Sequence, residues 1–203
     1  MTAPAYTDLL NLSLPIIQAP MAGISTPQLA AAVSNAGGLG SLGLGACNAT
    51  QAKAMIEQTQ ALTDRPFNVN VFCHSSEKRN IARDKAWLEH LSPFFTELGL
   101  ETPQSLHEIY KSFLNDDSLF QTILNLRPAF ISFHFGLPSE KQLDAIRHAG
   151  IITLATATNL AEARLIEAAG INIIIAQGIE AGGHRGMFDT HAVDERLSTA
   201  VLV

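Results

Sequence analysis

Gln18-Ala19-Pro20-Met21-Ala22-Gly23 closes the first short apolar run of the chain, residues 16–19, which stands between Pro15 and Pro20. Five further runs follow, at 39–44, 67–73, 130–135, 151–155 and 171–176. Most are apolar on both faces, as strands of a covered parallel sheet are. Helical signals separate them. Thr26 can cap a helix that opens on Pro27 and stops at Gly37. Asn48 with Gln51, Ser139 with Gln142 and Asn159 with Glu162 have the spacing of capping boxes or their weaker relatives. Gly150 and Gly170 sit where helices should end.

Strands alternating with helices mean a parallel α/β protein. Such a sheet is either doubly wound or closed into a barrel. A doubly wound dinucleotide-binding sheet carries Gly-x-Gly-x-x-Gly at its first strand-to-helix turn. The stretch 18–23 lacks it, and the Gly-rich segment 37–45 falls across the second run instead of at a turn. The reading is therefore a (β/α)8 barrel of the TIM type. Residues 75–127 are too long for one helix and read as a helical insert between strands 3 and 4. Its aromatics Trp87, Phe94, Phe95, Tyr110, Phe113 and Phe120 either pack the insert on the barrel or, near Tyr110, form a lid over the site. An eight-stranded barrel typically takes about 250 residues. Six units use nearly all of the 203 residues, so the barrel is expected to be truncated after about six βα units, with 1–203 forming one domain.

Composition narrows the function. The chain is 47% hydrophobic and 16% charged, with a net charge of −6. That fits one globular core and gives no basic footprint for nucleic acid. No run reaches the roughly 18 apolar residues of a membrane span. Residues 1–11 lack the pattern of a signal peptide. Cys47 and Cys73 have no metal spacing and read as free thiols in a reducing, cytoplasmic compartment. The histidines show no His-x-x-x-His pairing, and no metal site is expected.

In a barrel the chemistry sits at the C-terminal strand ends. Those ends carry Gln18, Pro20, Met21 and Gly23; Asn68 and Asn70; His134 and Gly136; Thr156 and Thr158; and Gln177 followed by Glu180-Ala181-Gly182-Gly183-His184-Arg185-Gly186. A buried amide or imidazole without a partner costs roughly 1–3 kcal/mol, so structure alone gives little reason for this set. Amides offer donor and acceptor together, which suits the edge of a flat heterocycle such as a flavin. Gly182 and Gly183 let backbone approach a ligand face or simply make a tight turn. His184 is the candidate base, since an unperturbed imidazole pKa of about 6.5 suits proton abstraction near neutrality. His134 is either a hydrogen-bonded strand residue or a wall of the substrate pocket. Arg185 either steers an anion or is a solvated loop arginine.

Pro15-Ile16-Ile17-Gln18-Ala19-Pro20-Met21-Ala22-Gly23, Ser34-Asn35-Ala36-Gly37-Gly38-Leu39-Gly40, Phe67-Asn68-Val69-Asn70, Ser132-Phe133-His134-Phe135-Gly136 and Gln177-Gly178-Ile179-Glu180-Ala181-Gly182-Gly183-His184-Arg185-Gly186 resemble, in order, the motifs of the nitronate monooxygenases. The first motif is shared with related flavin barrels; the last two are more specific. The resemblance implies FMN as cofactor, contacted by Pro20, Met21, Ala22, Asn70, Gln177, Gly182 and Gly183. It implies His184 as catalytic base and His134 on the substrate side, where the lid reading of the insert adds Tyr110. The implied reaction is oxidation of alkyl nitronates, such as propionate 3-nitronate, by O₂ to a carbonyl product and nitrite. The family's Gly-rich seventh and eighth strands, which hold the FMN phosphate, have no counterpart here. The isolated chain is therefore expected to hold FMN poorly; the partners expected are a small-molecule nitronate and O₂, with a homo-oligomer or a complementing C-terminal segment. The alternatives are an FMN-dependent enoyl-acyl-carrier-protein reductase and an inactive remnant.

Overall fold

The computed structural model describes residue 10, residues 12–76 and residues 78–203. Among these, five parallel strands form one sheet: β1 Gly40–Gly43, β2 Phe67–Phe72, β3 Phe130–His134, β4 Ile152–Ala157 and β5 Ile173–Ala176. The spatial order is β1-β2-β3-β4-β5. A doubly wound sheet reverses its order at a switch point; this one does not.

The helices are α1 Pro27–Asn35, α2 Ala49–Leu62, α3 Ile81–Glu97, α4 Asp117–Leu126, α5 Glu140–His148, α6 Leu160–Ala168 and α7 Thr199–Leu202. Their starts follow the sequence signals. Thr26 Oγ1 accepts from Leu29 N at 3.2 Å, with Pro27 opening α1. Asn48 with Gln51, and Ser139 with Gln142, form reciprocal capping boxes on α2 and α5.

Register fixes two faces. Gly40↔Phe67, Asn70↔Ser132, Phe133↔Ala155 and Thr156↔Ile175 are Cα partners, and partners share a face. One face carries Leu42, Val69, Val71, Ile131, Phe133, Ala155 and Ala157. These pack in one cluster with Ala30 of α1, Ile56 of α2, Ile123 of α4, Ile146 of α5 and Ile166 of α6. The opposite face is layered. At the N-terminal ends Leu39, Phe130 and Leu154 pack with Leu10. Next come Ser41, Asn68 and Ser132, all buried. At the C-terminal ends the same face presents Gly43, Asn70, Phe72, His134 and Thr156. Hydrophobic burial thus holds one end together and leaves the other for polar side chains.

The expected strand at 16–19 is reduced to a single bridge, Ile17↔Leu39. Two ladder bonds form, Leu39 N to Ile16 O and Gln18 N to Leu39 O, each 2.9 Å. Pro20 has no N–H to continue them. Instead the Gln18 amide ties this segment to β1, donating to Ser41 O at 3.2 Å and accepting from Ser41 N at 3.3 Å.

The chain divides into two compact units: residues up to His74 together with Tyr110–Val203, and Ser75–Ile109. The expected insert is therefore split, because Phe113, Leu119, Phe120 and Ile123 join the main core. Within the smaller unit, α3 contains Pro93 and no buried residue. His90 stacks on Trp87 at 5.3 Å.

Candidate active site

The polar C-terminal end of the layered face gathers the side chains singled out in the sequence. His134 ends β3, and its ring lies 6.0 Å from Phe72 at the end of β2. Gln177 directly follows β5. Its Nε2 donates to the carbonyl of His184 at 2.9 Å, and its Oε1 accepts from Gly186 N at 2.7 Å. That amide fixes the loop 184–186 to the sheet. The His184 carbonyl is held a second time, by His134 Nε2 at 3.2 Å.

The His184 side chain is exposed and stands among three aromatic rings. Phe135 is 5.7 Å away at 88°, Tyr110 5.8 Å at 77° and Phe72 5.9 Å at 62°. Neither ring nitrogen of His184 has a hydrogen-bond partner among the described residues. Its backbone is pinned and its nitrogens are open, an arrangement suited to proton transfer. His134 is the opposite case: Nε2 meets the His184 carbonyl and Nδ1 meets Thr156 Oγ1 at 3.1 Å.

Asn70 lies on β2 and is buried. Its Nδ2 donates to Ser132 Oγ at 2.9 Å and to Ser132 O at 3.2 Å. Its Oδ1 has no partner among the described residues. Asn68 Nδ2 donates to the same Ser132 hydroxyl at 2.9 Å, while Asn68 Oδ1 is buried without a partner among the described residues. The loop Pro20-Met21-Ala22 passes close over β1: a Cβ at Gly43 would come within 2.8 Å of Ala22 N. Met21 N donates to Ser25 Oγ at 2.9 Å. A Cβ at Gly182 would meet no atom within 4 Å, so internal packing does not require glycine there, whereas Gly183 takes a left-handed φ of 78° that favours glycine.

These features fit a flavin. Asn70 Oδ1 can accept from a heterocycle N–H, Gly182 borders open space that a ring can fill, and Gln177 keeps a second N–H beyond the one given to His184. Among the described residues there is no group of three or more His, Cys, Asp or Glu side chains able to hold a metal ion.

Several contributors carry no local sequence signal. Phe72 and Phe135 wall the His184 ring, and Phe135 does so from a left-handed backbone with φ of 68°. Such a conformation is a genuine outlier for a bulky residue. Arg185 is not a solvated loop residue: its guanidinium grips Asp194 twice, at 2.9 and 3.0 Å, and reaches the carbonyls of Gln177 and Thr158. That hydrogen-bonded guanidinium, more than the Arg196 backbone N–H, holds the Asp194 carboxyl below the usual aspartate range. Asn159 with Glu162 forms the weaker relative of a capping box: Asn159 Oδ1 accepts from Glu162 N at 2.9 Å. The buried carboxylate turns elsewhere, taking Thr158 N at 2.6 Å, Thr158 Oγ1 at 2.7 Å and Phe188 N at 2.8 Å. It therefore ties the loop after β5 to the start of α6.

Burial pushes the His134 pKa below its ordinary 6.5, against the raising effect of its bond to the His184 carbonyl. A folded ring that protonates less readily than the unfolded one makes unfolding take up a proton in the window between the two pKa values. This contribution to stability is complete above the unfolded value and is lost as the pH falls below it. The urea midpoint of the wild type should therefore drop more between about pH 7.5 and about pH 5.5 than that of His134→Gln. Equal drops would contradict it.

A sequence model described as nitronate monooxygenase matches residues 3–203. The chain belongs to the nitronate monooxygenase family. A nitronate monooxygenase of Paraburkholderia phytofirmans is 55% identical over 198 residues, covering 98% of this chain and 54% of that relative. The solved nitroalkane oxidase of Streptomyces ansochromogenes superposes with a TM-score of 0.81 at 39% identity, covering 92% of this chain and 52% of that one. FabK of Thermotoga maritima gives a TM-score of 0.68 at 28% identity, covering 97% and 48%. The chain thus spans about half the length of the relatives it matches. Nitronate monooxygenases are flavin-dependent, in keeping with the amide and glycine rim described above.

Proposed function

We propose that this chain forms the N-terminal part of an FMN-dependent enzyme that oxidises alkyl nitronates, such as propionate 3-nitronate, with O₂ to a carbonyl product and nitrite. The carrying observation is the contrast between the two histidines. His134 spends both ring nitrogens on protein partners, while His184 presents an open imidazole on a fixed backbone, among Phe72, Tyr110 and Phe135.

In this reading FMN, when bound, supplies the electron-transfer chemistry with O₂. Pro20, Met21, Ala22, Asn70, Gln177, Gly182 and Gly183 hold the isoalloxazine. His184 takes the α-proton of a neutral nitroalkane at a ring nitrogen, and a nitronate, already ionised, does without that step. His134 and Tyr110 line the substrate side, with the aromatic rings excluding water around the reacting carbon. Closure into a (β/α)8 barrel belongs to the same proposal, with the FMN phosphate held by units beyond β5. Those units would come from a complementing C-terminal segment. Two free thiols suit a cytoplasmic setting. No helix among the described residues is long and apolar enough to cross a membrane.

The enoyl-acyl-carrier-protein reductase alternative has the weaker support, given the lower likeness to FabK. Anaerobic mixing of the flavin-loaded protein separates the two. A nitronate should bleach the flavin absorbance fast and NADH slowly. Rapid bleaching by NADH alone would reverse the assignment.

A further inference from the structure

Thr156 is buried near the end of β4. Its hydroxyl lies 3.1 Å from Nδ1 of His134. The other ring nitrogen, Nε2, lies 3.2 Å from the carbonyl oxygen of His184. A carbonyl oxygen only accepts, so Nε2 must carry a proton. In the neutral ring Nδ1 is then a lone pair, and the Thr156 hydroxyl, free to rotate, donates to it. The direction of the chain is therefore fixed: Thr156 O–H to His134 Nδ1, then His134 Nε2–H to His184 O.

Gly186 completes the arrangement. A Cβ there would come within 2.5 Å of His134 Cε1 and 3.0 Å of Thr156 Cγ2. The loop backbone thus lies directly against the histidine and the threonine, while Gln177 holds the same loop from β5. The His184 carbonyl is gripped from β3 and from the residue after β5 together, which sets the point from which its side chain leaves the backbone.

We propose that Thr156 is a positioning residue: by holding Nδ1 of the Nε2–H ring it sets the orientation of the His134 imidazole, which fixes the His184 carbonyl and with it the direction in which the His184 imidazole faces a substrate. The consequence for turnover rests on the reading of His184 as a base; the hydrogen-bond direction does not. Without the hydroxyl, Nδ1 has no donor. The His184 carbonyl still selects the Nε2–H form, but the ring loses the anchor that holds it in plane with that carbonyl.

The test starts with nitrogen NMR of the ¹⁵N-histidine-labelled full chain at neutral pH, with the His134 signals assigned by their absence in His134→Gln. The wild type should show a protonated Nε2 and a lone-pair Nδ1. Thr156→Val should keep the protonated Nε2 but move the Nδ1 signal toward that of a lone pair without a donor, with about tenfold faster exchange of the Gly186 amide, as expected for loss of one buried hydrogen bond. Thr156→Ser should restore both. An Nδ1–H form in the wild type overturns the proposal, and that spectrum decides even if Thr156→Val does not fold. An unchanged Nδ1 shift and unchanged exchange in a folded Thr156→Val overturn it as well. In the flavin-loaded protein, Thr156→Val should lower kcat for a neutral nitroalkane about tenfold, with little change in KM or in nitronate turnover. If the NMR results hold and this split does not appear, Thr156 still fixes the loop, and the assignment of His184 as base fails instead.

Discussion

Replacing His184 with Asn in the flavin-loaded protein should lower kcat/KM for neutral nitroalkanes by about 10²–10³-fold, the usual loss when a positioned general base is removed. Turnover of the matching nitronates should stay within a few fold. The two substrates differ by one proton on the α-carbon, so their ratio isolates the step assigned to this imidazole. Asn keeps a polar side chain of similar reach, and the backbone bonds that hold position 184 come from its carbonyl, which the substitution leaves in place. A loss confined to the nitroalkane therefore cannot come from a collapsed loop. Parallel steady-state measurements on one nitroalkane and its preformed nitronate decide the matter. Equal losses on both would mean that His184 holds substrate or flavin without moving a proton.

The features legible in the sequence were those encoded locally. Caps at Thr26, Asn48 and Ser139 lie within a few residues of what they satisfy, so spacing alone finds them. The apolar runs located the strands because a sheet covered on both faces needs hydrocarbon at successive positions. The order of polar residues at the strand ends likewise placed Asn70, His134 and Gln177 at one end of one face. The features that escaped depend on partners distant in sequence. Glu162 has the spacing of a capping residue, but Phe188 N offers its carboxylate a donor from another element. Arg185 reads as a solvent residue until Asp194 folds back beside it. The left-handed turn at Phe135 has no sequence signature, because its ring is boxed by Phe72, His134 and His184. Such strain persists where surrounding contacts over-determine it. Local periodicity cannot report a site assembled from five strand ends, except through the residue types that would otherwise be misplaced there.

Gly40→Ala should destabilise the fold by roughly 3 kcal/mol or more, through overpacking against rigid backbone. Gly40 begins β1 on the helix-facing side. An added Cβ would run into the carbonyl oxygen of Ala30 and come within 2.6 Å of its carbon and 2.8 Å of its Cα. These are main-chain atoms of α1, so no rotamer change relieves the contact. Helix α1 would have to lift from the strand. Ala30 and Leu42, both 0% exposed, would lose their mutual packing. Ser34 would be pulled from its two bonds, in which it accepts from Gly40 N at 3.1 Å and donates to Pro66 O at 2.9 Å. The damage would not stop at the core. The backbone N and O of Ser41 in β1 hold Gln18, and Gly43 lets the Met21-Ala22 backbone settle over the strand. A displaced β1 therefore moves the proposed flavin-facing loop along with the helix. Urea unfolding of wild type and variant, followed by circular dichroism, measures the effect. A shift worth less than about 1 kcal/mol would show that α1 and β1 are not packed backbone to backbone as described, since overpacking at so rigid a contact costs at least that much.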